Sequence, residues 1–289
     1  AVDHELFSAT ISAAELRQIA RIMSANSRDE IRYYLNGLHI VKVGNWTWRF
    51  QATDGHRLMW IDVPMPDASG AVHGAIIPRA WLRKAMTHFS RSKEPLRLTF
   101  GHRMPRNEPG VELDVAPPTP PAEPRRLSLS GDFGGVGFTL AGKLIDSAYP
   151  DVERLIPKSH DHSARIATAD LTRALHSVSA ISGEKTRAVK LAFPQPGNVL
   201  VSLNSAVMGE AEITIPAEHD LPAGFEICFN ARYLLDMIAA LGGTEVVIGL
   251  TASSNPATFT NPADTAIGAV LWALARPTAS ARPRACARI

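Results

Sequence analysis

Four segments of the chain carry apolar residues at the i, i+3, i+4, i+7 spacing that predicts one-sided α-helices. They are residues 12–24, 78–89, 167–182 and 230–241. Their apolar positions are Leu16, Ile19, Ala20 and Met23; Leu82, Ala85, Met86 and Phe89; Leu171, Ala174, Leu175, Val178 and Ile181; and Leu234, Leu235, Ile238 and Leu241. Thr168 and Asn230 stand where N-caps are expected, and the Gly-Gly pair after Leu241 predicts a helix stop.

Short apolar or alternating runs between the helices predict β-strands, because each run is bounded by Gly, Asn, Asp or Pro. The runs are GLHIVKV, WTWRFQAT, LRLTF, VLVSLN, EAEITIP and EVVIGL. The stretch RYYLNG at residues 32–37 is typical of a strand that ends in Asn-Gly, and Asp54-Gly55 predicts a hairpin turn that points His56 and Arg57 outward. The chain is therefore predicted to be α+β.

The order of these elements repeats along the chain. Leu16 and Leu82 lie 66 positions apart, Leu171 and Leu234 lie 63 apart, and in each half an apolar strand leads directly into the second helix. We predict two similar domains, residues 1–156 and 157–277, each with two helices packed on antiparallel sheets. The proline-rich residues 105–126 predict a protruding loop, and residues 278–289 predict a basic, disordered tail.

Composition narrows the class of protein. The 289 residues include 30 Lys and Arg against 28 Asp and Glu, so a nucleic-acid surface requires the cations to be concentrated on one face. The two cysteines form no CxxC pair, which fits a reducing compartment. No window contains eighteen successive apolar residues and the N-terminal residues lack a signal-peptide pattern, so we expect a cytoplasmic protein without a membrane span.

No catalytic or cofactor-binding motif is present in the sequence. HExxH, GxSxG, Walker A and dinucleotide-binding glycine patterns are absent, and GDFGGVG at residues 131–137 lacks the strand-to-helix context of a phosphate loop. His160 and His162 have no further ligands at metal-site spacing and are expected to be exposed loop residues. We therefore expect neither an enzyme nor a metal or cofactor site.

The polar faces of the predicted helices are rich in cations. Apart from capping positions they carry Arg17, Arg21, Arg79, Arg83, Lys84, Arg173 and Arg232, against Glu15, Asp170 and Asp236. On any one helix such cations are typical of an ordinary solvated face. If the four helices line a common surface, the cations would contact the phosphate backbone of DNA independently of its sequence.

Six segments form a highly specific combination. They are EIRYYLNGLHI, ATDGHRLMW, IIPRAWL, YPDVERLIP, ISGEKTRAVKL and FNARYLLDMIAAL, in this order along the chain. In sequence and spacing they resemble the bacterial DNA polymerase III β subunit, the replication sliding clamp. The resemblance covers nearly the whole chain but begins with the family's second domain. It implies the DNA-clamp fold and a processivity factor that encircles double-stranded DNA, with its helices facing the hole.

The resemblance also implies a groove that captures short linear peptides of DNA polymerases and the clamp loader. By residue matching, the groove would comprise Arg32, Tyr34, Leu35, Thr53, Gly55, His56, Arg57, Leu58, Pro150, Arg154, Leu155, Asn230, Tyr233, Leu271 and Ala273. Leu271, Ala273 and Ala275 stand where methionines are usual in the family, which implies an altered peptide preference. Tyr33 and Tyr34, with Arg79, match positions where the family contacts DNA.

The family forms a six-domain ring from two three-domain chains. Because this chain resembles only the second and third domains, head-to-tail contacts would close such a ring from three chains, as a homotrimer. Two alternatives remain open. One is a clamp-derived adaptor or decoy that binds peptides without encircling DNA, and the other is an N-terminally trimmed dimeric clamp.

Overall fold

A computed structural model of the chain describes residues 2, 4–70, 72, 74–102, 124–181, 188–205 and 208–274. Most of the proline-rich loop predicted at 105–126, the end of the second predicted domain and the tail predicted at 278–289 lie outside the described residues. The predicted α+β class is confirmed, since the described residues contain both helices and antiparallel strands.

The described elements fall into two series along the chain. The first series is β1 (His4–Ile11), α1 (Ala13–Arg21), β2 (Gly37–Lys42), β3 (Thr47–Thr53), β4 (Arg57–Pro64), β5 (Ser69–Gly70), β6 (Ala75–Pro78), α2 (Arg79–Phe89), β7 (Leu96–His102), β8 (Arg126–Phe133) and β9 (Val136–Lys143). The second series is β10 (His162–Ala167), α3 (Thr168–Ser179), β11 (Ala188–Phe193), β12 (Asn198–Ser205), β13 (Gly209–Pro216), β14 (Glu218–His219), β15 (Phe225–Asn230), α4 (Ala231–Leu241), β16 (Glu245–Leu250), β17 (Ala257–Asn261) and β18 (Asp264–Leu271). Short 3-10 helices cover Ile22–Ala25, Tyr33–Leu35 and Glu153–Leu155.

The predicted internal repeat is confirmed by strand pairing. In the first series β1 pairs with β5 and β7, as β10 pairs with β14 and β16 in the second. Likewise β2 pairs with β3 and β6 while β3 pairs with β4, as β11 pairs with β12 and β15 while β12 pairs with β13. All of these pairs are antiparallel, so both series follow one topology.

The chain divides into two compact units. Unit 1 comprises residues 1–156, 236–243 and 259–270, and unit 2 comprises residues 157–235, 244–258 and 271–289. Unit 1 contains a sheet of order β5-β1-β7-β8-β9 and the strands β18-β4-β3-β2-β6 in that order. Unit 2 contains a sheet of order β13-β12-β11-β15 and the adjacent strands β14-β10-β16. The predicted domain limits at residues 156 and 277 stay a prediction.

The apolar faces of the helices form the cores, as the spacing predicts. In unit 1, α1 and α2 contact each other and bury Leu16, Ile19, Leu82, Ala85 and Phe89. In unit 2, α3 packs on β12 and β13. The central apolar positions of α3 and α4 are also buried, whereas Ala20, Met23, Met86, Ile181 and Leu235, which lie at the margins of the four predicted faces, are half-buried.

The helix ends partly follow the predicted caps. Asn230 Oδ1 accepts from the main-chain N–H groups of Arg232 and Tyr233, at 3.0 and 3.2 Å, and Gly242 follows α4 at φ +61°, as predicted. The Thr168 cap is wrong, because Ala167 occupies the N-cap position and Thr168 Oγ1 has no partner among the described residues. The capping box of α1, in which Ser12 and Glu15 bond reciprocally, was not predicted.

The strand predicted for RYYLNG is wrong. Tyr33–Leu35 form a 3-10 helix and β2 begins only at Gly37. The cause is local: Asp29 accepts from the Ile31 N–H at 2.9 Å and from Arg32 Nε at 3.0 Å, and the Asn36 amide donates to the Asp29 carbonyl. Short polar side chains that bond nearby main chain compete with strand formation in this way.

Within the part of the chain that the structure describes, no helix has the length and apolar character needed to cross a membrane.

Candidate peptide-binding and DNA-binding surfaces

The turn between β3 and β4 is the centre of the predicted peptide groove, and side chains hold it in place. Thr53 Oγ1 donates to the Arg57 carbonyl at 2.6 Å, and Asp54 Oδ1 accepts from the N–H groups of His56 and Arg57 at 2.9 and 3.1 Å. Gly55 has φ +89°, a conformation that favours glycine. The hairpin is confirmed, and His56 is exposed as predicted.

Arg57 does not point outward as predicted. It is 5% exposed, and its guanidinium binds the Asp54 carboxylate at 3.1 Å and the Asp236 carboxylate at 2.9 Å. It also donates to the Ser24 carbonyl. A buried guanidinium needs paired acceptors because an unpaired buried charge is costly. In unit 1 the Arg57 side chain therefore links the turn to Asp236 and Ser24, and its peptide-contact role stays a prediction.

The predicted apolar well is only partly open. Leu58 is 0% exposed, and Leu35 and Thr53 are also buried, so these three side chains offer almost no apolar surface to a ligand. Their role as contact residues stays a prediction. Leu155 is 47% exposed, on the 3-10 helix Glu153–Leu155, and Pro150 and Arg154 beside it are exposed as well. The accessible part of the site in unit 1 therefore centres on Leu155.

Arg32 and Tyr34 lie next to this turn. Arg32 is half-buried; its Nε donates to Asp29 Oδ2 at 3.0 Å and its guanidinium donates to the Asp54 carbonyl at 3.2 Å. The hydrogen bond from the Ile31 N–H, followed by that from Arg32, lowers the pKa of Asp29. Tyr34 is half-buried and contacts Tyr33 edge-on at a ring distance of 6.1 Å, while Tyr33 is 52% exposed.

The remaining peptide-site residues belong to unit 2. Asn230 is engaged as the N-cap of α4, which leaves Tyr233 half-buried one turn into the helix. Leu271 is buried at the end of β18, whereas Ala273 is half-buried, and the contact role of both stays a prediction. Ala275 lies outside the described residues.

The cations predicted to meet DNA differ in availability. Arg83, Lys84 and Arg232 are exposed and form no ion pair with any described residue. Arg17 is exposed and donates to the Ser90 carbonyl, and exposed Arg173 pairs with Asp170 at 3.1 Å on the same helix. Exposed pairs of this kind are weak and can be exchanged for phosphate contacts.

Arg21 is engaged with the protein itself, whereas Arg79 is half-buried and its Nε has no hydrogen-bond partner among the described residues. Arg21 donates to the carbonyls of Ala240 and Leu241, at 2.5 Å each, and lies 3.7 Å from the Asp264 carboxylate. It thus satisfies the last carbonyls of α4, and its contact with DNA stays a prediction. Burial lowers the pKa of Arg79, with repulsion from Arg28 and Arg83 acting in the same direction.

The sequence suggests one of the two ion pairs of Arg57 but not the other. The i, i+3 spacing of Asp54 and Arg57 suggests their ion pair, because the two residues flank one turn. The second partner, Asp236, lies 179 positions away and has no local signal. Among the described residues no group of three or more His, Cys, Asp or Glu side chains could hold a metal ion.

Two protein-family models match consecutive parts of the chain. The model described as DNA polymerase III beta subunit, central domain, matches residues 10–151, and that described as DNA polymerase III beta subunit, C-terminal domain, matches residues 153–274. The beta sliding clamp of Caulobacter vibrioides strain NA1000 is 32% identical over 265 residues, which are 90% of this chain and 63% of that protein. The beta sliding clamp of Escherichia coli strain K12 is 28% identical over 237 residues, 82% of this chain and 57% of that protein.

Solved clamp structures are also similar. The Caulobacter crescentus beta sliding clamp with bound polyethylene glycol has a TM-score of 0.79 at 27% identity, over 95% of this chain and 67% of that one. The sliding clamp of Bartonella birtlesii bound to griselimycin has a TM-score of 0.78 at 28% identity, over 95% of this chain and 68% of that one. The chain therefore has the clamp fold and spans less than two thirds of the length of the Caulobacter and Escherichia proteins it matches in sequence.

Proposed function

The chain belongs to the DNA polymerase III β-subunit family, and on that basis we propose that it acts as a sliding clamp, a processivity factor without catalytic activity. It would encircle duplex DNA as a closed ring and tether a DNA polymerase to its template. A ring is held on DNA by topology, so its cations need only weak contacts with phosphates. Such contacts are independent of sequence and are screened by salt.

The internal repeat supports this proposal, because two strands of the repeat end their sheets while the equivalent strands lie side by side. In unit 1 β18, the last strand of the second series, lies beside β4. The strand equivalent to β18 in the first series is β9, and the strand equivalent to β4 in the second series is β13. Both end their sheets within the described residues. Placing β9 of one chain beside β13 of another would repeat the β18–β4 arrangement between chains.

The surfaces of these two end strands fit that arrangement. Val136 and Phe138 on β9 are exposed apolar residues, and β9 also carries Lys143, whereas β13 carries the exposed Glu210 and Glu212. Exposed apolar edge strands tend to pair with another chain. The contact joins two different surfaces, so repeating it must either close a ring or extend a filament. Three chains with two repeats each would complete a six-domain ring.

The peptide groove is the second part of the proposal. The exposed His56, Pro150, Arg154 and Leu155 in unit 1 would receive short linear peptides of DNA polymerases and the clamp loader. The exposed Leu155 offers apolar surface that a bound peptide could cover. The DNA surface would use Arg17, Arg83, Lys84, Arg173 and Arg232, with Tyr33 and Tyr34.

Sedimentation equilibrium at micromolar concentration tests the ring. We expect a species of 93.6 kDa, three times the 31.2 kDa of one chain. After loading onto a nicked circular plasmid by a bacterial clamp loader, the protein should remain bound in high salt and be lost when the plasmid is cut. A single-chain mass with intact peptide binding would favour the adaptor alternative, and a stable dimer would contradict the trimer.

A further inference from the structure

Unit 1 contains a cleft of about 510 Å³ between strands β2 and β3 and the segment 146–153. His39 lies on β2 and Gln51 on β3, and the Tyr149 ring stacks on His39 at 4.5 Å with an interplanar angle of 10°. A second cleft of about 390 Å³ adjoins it, because both are lined by Gly74, Ile76, Asp146 and Ser147. We call the first the His39 cleft and the second the basic cleft.

The His39 cleft offers one hydrogen-bond donor and one acceptor. Gln51 Nε2 lies 2.8 Å from His39 Nδ1, and burial lowers the pKa of His39 to about 4, so the imidazole is neutral at pH 7. Because the amide donates to Nδ1, the ring proton is on Nε2. Gln51 is 2% exposed, and its Oε1 has no partner among the described residues. A buried acceptor without a partner is unusual and suggests a ligand that supplies one.

Gly74 keeps His39 Nε2 accessible. It has φ +108°, and a Cβ placed there would lie 2.9 Å from that nitrogen. Any larger residue at this position would therefore cover the donor, and only glycine adopts this conformation without strain. Gly74 lines both clefts, so it stands where a bound chain would pass from one to the other.

The basic cleft carries cations without matching anions. Arg125, Arg126 and Lys143 line it, and none of them forms an ion pair with any residue that the structure describes. Arg126 and Lys143 are direct cross-strand partners in β8 and β9, an arrangement of like charges that costs stability. A surface that keeps such a pair without a counter-charge is suited to binding an anion.

The acidic residues at the other end of the clefts are largely neutralised. Glu153 accepts from Arg49 at 3.0 Å, and Asp151 accepts from Arg154 at 2.5 Å. Asp146 is the acid that lines both clefts, and it forms no ion pair with a described residue. The joined clefts therefore present an excess of positive charge at one end and the buried donor and acceptor at the other.

We propose that the two clefts form a second peptide-binding site, which takes an extended segment with an acidic side chain. A backbone carbonyl of the ligand accepts from His39 Nε2, the adjoining backbone N–H donates to Gln51 Oε1, and the carboxylate lies beside Arg126 and Lys143. The site shares only Pro150 with the groove proposed above. Lys143 lies on β9, the strand proposed to contact a second chain, so the site is independent of DNA binding but shares this residue with the proposed ring contact.

A capped pentapeptide of four glycines around one glutamate is the probe, titrated into the full chain and followed by NMR chemical-shift changes of the His39 ring. We expect saturable binding that weakens about tenfold when the glutamate is replaced by glutamine, and by a similar factor in an Arg126→Gln/Lys143→Gln double variant. The variant Gln51→Leu should also weaken binding about tenfold, since it removes the buried acceptor.

Matched variants separate this site from folding effects and from the other groove. Gly74→Ala should abolish binding, while Gly135→Ala, at φ +88° with no atom of a described residue within 4 Å of the added Cβ, imposes comparable backbone strain and should leave binding unchanged. Leu155→Ala should also leave it unchanged. The proposal is overturned if the glutamate and glutamine peptides bind equally, or if the surface double variant, folded by its melting curve, binds like the natural chain.

Discussion

Leu58 and Leu155 show how strongly exposure decides what one side chain does. Leu58 is 0% exposed in β4, where it packs among core residues, whereas Leu155 is 47% exposed on a short 3-10 helix. In the sequence both are leucines beside polar neighbours, and the family resemblance assigns both to one groove. Only Leu155 presents apolar surface that a ligand could cover without a conformational change in unit 1.

Replacing each leucine by alanine should separate the two roles. Leu58→Ala should lower the free energy of unfolding by about 2–5 kcal/mol, because it leaves a cavity in the core. Leu155→Ala should change it by less than about 0.5 kcal/mol, yet weaken binding of a polymerase-tail peptide about tenfold. Urea unfolding and peptide titration by calorimetry measure the two quantities. Equal losses of stability would contradict the burial difference.

His39 should make stability depend on pH. Burial lowers its pKa from 6.5 to about 4, so between these values the unfolded chain binds a proton that the folded chain does not. Stability should therefore fall as the pH decreases from about 6.5 to about 4. His39→Phe keeps an aromatic ring beside Tyr149 and should remove this part of the pH dependence. Urea midpoints at several pH values test it, and His88→Phe, at an exposed position, should retain the natural slope.

At the scale of single elements, helix ends depend on which polar side chain reaches the main chain. Ser12 accepts from the Glu15 N–H at 3.1 Å and Glu15 accepts from the Ser12 N–H at 2.6 Å, a reciprocal pair that fixes the start of α1. Thr168 has the same residue class at the start of α3, yet its hydroxyl has no partner among the described residues. Sequence alone does not distinguish these cases, because the cap position differs by one residue.

Alanine substitution at the two helix starts makes a matched test. Ser12→Ala should destabilise the protein by about 1 kcal/mol, since it removes the acceptor for an N-terminal N–H group. Thr168→Ala should lie within about 0.5 kcal/mol of the natural chain, because no hydrogen bond is lost. Thermal or urea unfolding of both variants is sufficient. A larger effect at Thr168 than at Ser12 would contradict the described caps.

At the scale of the whole molecule, two strands end their sheets, although the equivalent strands in the other half of the repeat lie beside a neighbour. β18 lies beside β4, while β9 and β13 end their sheets within the described part of the chain. Phe138 on β9 is 54% exposed, which is costly for an isolated chain in water. This is the physical reason for proposing that chains associate through these strands.

A charge placed on β9 should prevent that association. Phe138→Glu would bring an acidic side chain against the glutamates of β13, so sedimentation should show single chains where the natural protein forms the larger species. Trp46→Glu changes an equally exposed aromatic residue in the loop between β2 and β3, and should leave the mass unchanged. Loss of association in both variants, or in neither, would remove the evidence that β9 is the contact.

Local sequence patterns were sufficient to predict the helices, most strands, the Asp54-Gly55 turn and the repeat. Hydrophobic spacing and turn residues act over only a few positions. The motif combination was also sufficient for the family. The packing of distant segments was needed to show that Arg21 bonds the end of α4, 219 and 220 positions away, and that Arg57 pairs with Asp236. It was likewise needed to show that Leu58 is buried and that His39, Gln51 and Tyr149 form one cleft. Burial and ion pairing depend on which remote groups a side chain meets, and no local pattern specifies those groups.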